Sequence, residues 1–541
     1  MPGVQKVIQI GMMLSMLFMI LGCGRENQQA EDRSRKVHIR TGAGHREVVV
    51  MKDGVTEGYT PLKDLSVKKG DYLRLSGFEY AGVLNYIIRS KDKNELVFSQ
   101  RGRSLLVNGI PFGRIVSPHD SITDQTNGQS IQMLWFVDRP SENEFKTLER
   151  IEQLKILNFA EIPLKNADLD DMNDLPLLQV LSLVDTDITD QGLAYLKKCP
   201  SLEHLSVTGN EISNNGLSHL GEMTTLESLR LTDTEITDTG LHHLQSLTEL
   251  KALYLNETQI SGKGLDELGQ KQSLQALSMK KTQISNDGLQ FLKLFPSLRV
   301  LSLFETDISH KGLSHLTSLQ QLEWIELSKT NVTDRGMQYL SNIDTLEKLD
   351  LRHTSISDDG LAHLKDLQRI QVLHIANTNV TNRGLSYVKQ FTSLRSLDLN
   401  NLDVSDVGIK KLRNLEKLHS LFLGGTNVTD DGLVFLSNLK KLRLLNLSRT
   451  NIMGEGLEHL KDLPLSKLYL MNTVVGDEGI AALESSSIEV LSLTGTNVTD
   501  ACVKYLSNMQ SLRRLDVKET NMTEQGVKRL QKNLPDCIIN F

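Results

Sequence analysis

Aromatic residues are scarce in this chain: 14 Phe, 10 Tyr and 2 Trp amount to 5% of its 541 residues, against 38 Gly. A long chain with so few rings has to build its core from aliphatic side chains in a regular way, which directs attention to internal repeats. Cysteine is equally sparse. Beyond Cys23 there are only Cys199, Cys502 and Cys537, at spacings that match no metal-ligand pattern, so neither a disulfide framework nor a zinc module is encoded. A Cys502–Cys537 disulfide and three small buried thiols are the two readings left open. Blocks of like charge are missing as well: 60 Lys+Arg against 67 Asp+Glu give a net charge of −7, which argues against nucleic acid as a partner. No Ser/His/Asp arrangement, metal cluster or phosphate-binding loop stands out, so neither catalysis nor a cofactor is expected. What remains, 39% hydrophobic and 23% charged residues, is the composition of a globular protein.

Residues 1–22 read as an export signal. Lys6 supplies a positive charge, and Val7 to Leu21 is apolar apart from Gln9 and small residues. That stretch falls short of the roughly 20 residues a membrane-spanning helix needs. It ends Ile20-Leu21-Gly22-Cys23, which resembles the bacterial lipoprotein signal. The resemblance implies cleavage before Cys23, acylation of that thiol and, in an envelope with two membranes, sorting to the outer one, because Gly24-Arg25 follows rather than Asp. Two or three acyl chains, palmitate among them, anchor firmly where one is marginal. Residues 23–36 are almost wholly polar and read as a tether carrying the lipidated Cys23.

The organising feature is a repeat. Glycines recur at 192, 216, 240 and every 24 residues to 456; the spacing then drops to 23 at Gly479 and Cys502 and returns to 24 at Gly526. Upstream, Asp168 and Glu144 take the glycine slot while the apolar pattern persists. About 17 units fill residues 141–541. Gly-Leu-x-x-Leu places one buried stripe on a short helix, and Leu-x-x-Leu-x-Leu ends in the alternation of a short strand. A Thr or Asn follows each strand (Thr186, Asn210, Thr234, Thr258), where it predicts hydrogen bonds to otherwise unsatisfied backbone. The Ser or Thr three residues on (Thr189, Ser213, Thr237) is placed to cap the helix. The glycine is expected where a side chain would push the helix off its neighbouring coil. Asn-x-Thr triplets at Asn331, Asn379, Asn427 and Asn497 read as repeat turns, not as glycosylation acceptors.

These blocks resemble leucine-rich repeats, and the Ile-Thr-Asp-x-Gly-Leu segment resembles their cysteine-containing subclass, with Thr standing for Cys. The resemblance covers about 400 residues and implies an α/β solenoid: a horseshoe with a concave parallel β-sheet, convex helices and end caps. At about 4.8 Å per strand, 17 units stack over roughly 80 Å.

Residues 37–140 leave the repeat. Short β-prone stretches (47–51, 72–75, 83–89, 95–99, 104–107 and 131–137) and the turn signals Asp53-Gly54 and Asn108-Gly109 predict a small all-β domain. It is read as a spacer or second binding module; an enzyme housed there is the least favoured function.

In the leucine-rich family the outward strand positions form the recognition surface. Most are small and polar here. The middle differs: Glu326, Asp350, His374 and Asp398 gather three carboxylates around a histidine, with Trp324, Arg352 and His353 on neighbouring outward positions. Solvated decoration, a polar contact site for a protein partner and a cation site all fit this cluster, in falling order. Phe422 and Tyr469 form a secondary aromatic patch suited to protein or sugar. The leading expectation is a non-enzymatic, membrane-anchored protein that binds a protein partner on the concave face; a glycan- or peptidoglycan-binding envelope protein is the alternative.

Overall fold

The computed structural model describes residues 139–148, residues 154–541 except 173, and the backbone of strands between residues 35 and 136. The signal reading and the tether reading up to residue 34, Cys23 included, lie outside the described residues; Arg35 and Lys36, read as tether, instead open the paired strand Arg35–Thr41. Contacts divide the chain into two compact units, Met1–Ile284 with Leu294–Ser302, and Ser285–Lys293 with Leu303–Phe541.

In the first unit, strands Arg35–Thr41, Gly44–Lys52, Tyr72–Ser76 and Tyr86–Arg89 pair antiparallel in that order. Lys52 faces Val55 and Val107 faces Ile110, so hairpins form at both turn signals. Ile110–Val116 then pairs in parallel with Met133–Phe136, which pairs in parallel with Ile156–Asn158. From there the solenoid runs through six further strands in this unit, ending at Val300–Ser302, each parallel to the one before it. Phe136 stacks on Phe159 with ring centroids 4.9 Å apart, so the few rings the chain has close the start of the leucine core. Asp168, in the glycine slot, is buried. It accepts the Lys165 N–H at 2.8 Å and both arms of the Arg139 guanidinium at 2.8 and 2.5 Å, which satisfies the charge that burial would otherwise penalise.

The second unit carries ten parallel strands, Trp324–Glu326 to Ile538–Asn540, paired in sequence order. Every strand of both solenoid stretches is three residues long, because each unit of 23–24 residues must also hold a helix and two turns. Helices run four to ten residues, from Asp406–Ile409 to Glu524–Asn533. The middle residue of each strand and the leucine after it point into the core; Leu349 and Leu351 are 1% and 0% exposed.

The recurring Thr closes its own coil. Thr186, Thr234, Thr330 and Thr426 each donate from Oγ1 to the carbonyl three residues earlier at 2.6–2.9 Å. The residue before it turns left-handed, at φ 54° in Asp233 and 56° in His353, a conformation met here by polar residues as well as glycine. Neighbouring coils are joined on the helix side by a second ladder. Asp334 takes the Ser357 N–H and hydroxyl, both at 2.6 Å, and Asp358 takes those of Thr381 at 2.8 Å. The cap hydroxyls expected from sequence are therefore shared. Ser213 accepts the Asn215 N–H at 3.2 Å, but it also donates to Asp190 at 2.5 Å. This ladder explains the glycines. A Cβ on Gly192 or Gly312 would stand 2.7 Å from the ladder oxygen of Asn166 or Asn286, so glycine there lets the acceptor lie against the next helix without a shift.

The Asn-x-Thr triplets are ordinary turns: Asn331, Asn379 and Asn427 donate their N–H groups to Ile308, Ile356 and Val404 at 2.8–2.9 Å. Cys199, Cys502 and Cys537 are free and buried, and burial pushes their thiols up to about 12, 12 and 11. Among the described residues no helix is long and apolar enough to cross a membrane.

Candidate functional site on the open strand face

All the singled-out side chains of the repeat region belong to the second unit. Register places Glu326, Asp350, His374 and Asp398 on consecutive strands in one row, and Trp324 beside Lys348 in the row next to it. The structure therefore brings most of the cluster together, but not as a free acidic patch.

Asp350 is already engaged. Arg352 Nε lies 3.0 and 3.1 Å from its two carboxylate oxygens, Arg352 Nη2 donates to Oδ2 at 2.6 Å, and the Arg352 backbone N–H donates to Oδ1 at 3.1 Å. The His374 Nδ1 stands 3.8 Å from the same carboxylate, a charge contact rather than a hydrogen bond. Burial pushes the Asp350 carboxyl up, but His374 and Arg352 more than reverse this and hold it well below the usual carboxylate range. Asp398 goes the other way. Burial raises it, only partly offset by His374, by the Asn400 N–H bound to its Oδ1 at 3.0 Å and by Arg352. Its link to Asn400 is a recurring local turn: Asn158 holds the Ala160 N–H at 2.8 Å and Asn446 holds that of Ser448 at 2.9 Å. The acidic residues at strand ends thus have a backbone role, which a sequence pattern alone does not separate from partner contact.

Trp324 is 6% exposed, with the Lys348 ammonium 5.5 Å over its ring. Glu326 is buried as well. His353 stands apart from the strand row. It occupies the left-handed turn, is exposed, and its Nε2 lies 3.3 Å from the Asn377 amide. Within the secondary patch Phe422 is half-buried and Tyr469 is 6% exposed, with the Asn446 strand between them. For the cation reading, no group of three His, Cys, Asp or Glu is placed to hold a metal among the described residues.

Sequence reasoning passed over three things that the coordinates supply. Lys348 covers Trp324 and Arg352 closes on Asp350, each by a contact along or across strands that spacing at i, i+2 or i, i+24 could have flagged. The third is a window. From Val372 to Asn446 the outward strand positions change from buried to half-buried, at Val372, His374, Ser396, Ser420, Phe422, Leu444 and Asn446.

Four segments, residues 175–197, 198–221, 222–244 and 344–364, match the family model described as Leucine Rich repeat. Those four segments are leucine-rich repeats. Solved leucine-rich repeat structures are similar in fold. A Leptospira interrogans LRR protein aligns over 74% of this chain and 100% of its own, at 18% identity and TM-score 0.50. TLR13, solved as a complex with ssRNA13, aligns over 75% of this chain and 57% of its own, at 20% identity and TM-score 0.51. An internalin of Listeria monocytogenes aligns over 65% of this chain and 88% of its own, at 23% identity and TM-score 0.43. No curated protein matches the chain by sequence.

Proposed function

We propose that this leucine-rich repeat protein is a non-enzymatic recognition scaffold, tethered to a bacterial membrane through acylated Cys23, that binds a protein partner on the open strand face of its second unit. The carrying observation is the half-exposed window. Val372, Phe422 and Leu444 stand on outward positions of a sheet whose other outward side chains are mostly small or polar. Apolar side chains left half in water, rimmed by His374, Asn446 and serine hydroxyls, are the composition of an interface centre with a polar border. The Asp350–Arg352 pair and the Trp324–Lys348 stack lie next to the window as a preformed polar shoulder, fixed before a partner arrives. A glycan face is less well supported, because of the two candidate rings only Phe422 reaches solvent.

Phe422→Ala and Leu444→Ala are the informative variants, because each removes a half-buried apolar side chain that holds no charge in place. Crosslinking pull-down from the native envelope is expected to recover the partner roughly tenfold less well with either variant, at unchanged melting temperature. Full recovery with both would overturn the proposal.

A further inference from the structure

One edge of the second unit is unlike the rest of the surface. In each coil the chain leaves the helix and turns into the next strand, and in four consecutive coils those turns are residues 365–371, 389–395, 413–419 and 437–443. Together they carry nine Lys and Arg against two carboxylates, Asp366 and Glu416, in a protein of net charge −7. The same turn one coil earlier, residues 341–347, holds Asp344 and Glu347 and no cation; two coils past the run, residues 484–489 hold Glu484 and Glu489 and none either. All nine cations are exposed, and none makes an ion pair with a described residue. The backbone stacks the four turns rung on rung. The Arg395 N–H donates to the Gln371 carbonyl at 2.7 Å, the His419 N–H to Arg395 at 2.8 Å and the Arg443 N–H to His419 at 2.8 Å. Lys365, Lys389 and Arg413 stand at equivalent positions on consecutive coils, where like charges repel one another.

We propose that this edge lies on anionic lipid headgroups. What the edge lacks decides between polyanions. Every apolar residue in the four turns is buried, including Phe391, the one Phe, Tyr or Trp among them. A protein interface is built around an apolar or aromatic centre, and single-stranded nucleic acid and sugars are held by exposed rings; the edge offers neither. A broad array of unpaired point charges with no apolar anchor fits a surface read by charge alone, which is how polybasic segments bind acidic leaflets. The proposal rests on the tether reading in one respect: acyl chains at Cys23 hold the protein at a membrane, and the basic edge adds attraction to its acidic headgroups.

The test uses the full chain with Cys23→Ser, which cannot be acylated, and sedimentation with vesicles of phosphatidylcholine alone or mixed with phosphatidylglycerol. Binding is expected only to the mixed vesicles, to weaken steeply with added salt, and to fall more than about a hundredfold in the Lys440→Glu/Lys441→Glu/Arg443→Glu protein. These side chains are solvent-exposed, and an unchanged melting curve confirms that the variant folds. Equal binding to neutral vesicles, or binding indifferent to the charge reversal, overturns the proposal. So does capture of poly-glutamate by a protein that ignores both vesicles, which would reassign the edge to an acidic polypeptide. The acylated wild type separates the two readings. Retention on neutral vesicles with no gain on phosphatidylglycerol keeps the anchor and discards the edge; the reverse pattern keeps the edge and discards the anchor.

Discussion

Two aspartates in the same outward row, Asp350 and Asp398, with His374 on the strand between them, have been given opposite electrostatics by their neighbours. Asp350 is held low by His374 and Arg352, so its stabilising contribution is complete above the unfolded value of about 3.9 and is lost as pH falls through its lower folded value. Asp398 is raised by burial. The native state therefore holds its proton more tightly than the unfolded chain does, and ionising it costs stability that returns as pH falls through the raised value. Asp398→Asn keeps the acceptor for the Asn400 N–H, as Asn158 and Asn446 do, and removes that cost. The melting temperature at pH 7 is expected to rise, with the gain vanishing in acid, whereas Asp350→Asn should cost about 1–3 kcal/mol at pH 7 by leaving Arg352 without its anion. A lower melting temperature for Asp398→Asn would show that its charge is used in the free protein. The clustering of these residues was legible from the 24-residue register. Their opposite fates were not, because they turn on whether an Arg sits two residues on, as Arg352 does, or an Asn, as Asn400 does.

The element that holds the coils together is the ladder of Asp or Asn against the next Ser or Thr. Asp334 shows it most simply, with both carboxylate oxygens engaged by Ser357. Asp334→Ala leaves a part-buried N–H and hydroxyl without their acceptor and is expected to cost about 1–3 kcal/mol in urea unfolding. Asp334→Asn, which matches the natural Asn286 and Asn382 rungs, should lie within about 1 kcal/mol of wild type. Equal costs for the two would contradict the ladder. The repeat glycine was visible in the sequence and its reason, contact with the neighbouring coil, could be anticipated. The ladder itself could not be told from helix capping, since Ile-Thr-Asp serves both. The strands of the repeat and the two hairpin turns of the N-terminal strands were readable because alternation and Asx-Gly turns are local signals, whereas the strands Arg35–Thr41 and Ile110–Val116 were passed over. The way Arg139 satisfies the buried Asp168 was not, because the two residues are 29 apart in the chain and Arg139 lies outside the repeat.

At the scale of the molecule, low aromatic content and a mild net charge mark a long leucine core dressed mostly in small polar residues. Against that background two departures stand out, both in the second unit: a half-exposed strip from Val372 to Asn446 and a cationic edge on the turns of residues 365–443. The strip is assigned to a protein partner by its apolar content, and the edge to a lipid surface by the absence of any. The first is the central claim, and site-specific photocrosslinking in the native cells tests it most directly. A photoreactive residue in place of His374 or Phe422 should yield one discrete crosslinked partner, while the same residue in place of exposed Gln338, on the helix Asp334–Leu340, should yield none. Crosslinks from Gln338 that match those from the strand face, or no discrete product from either strand position, would contradict the account.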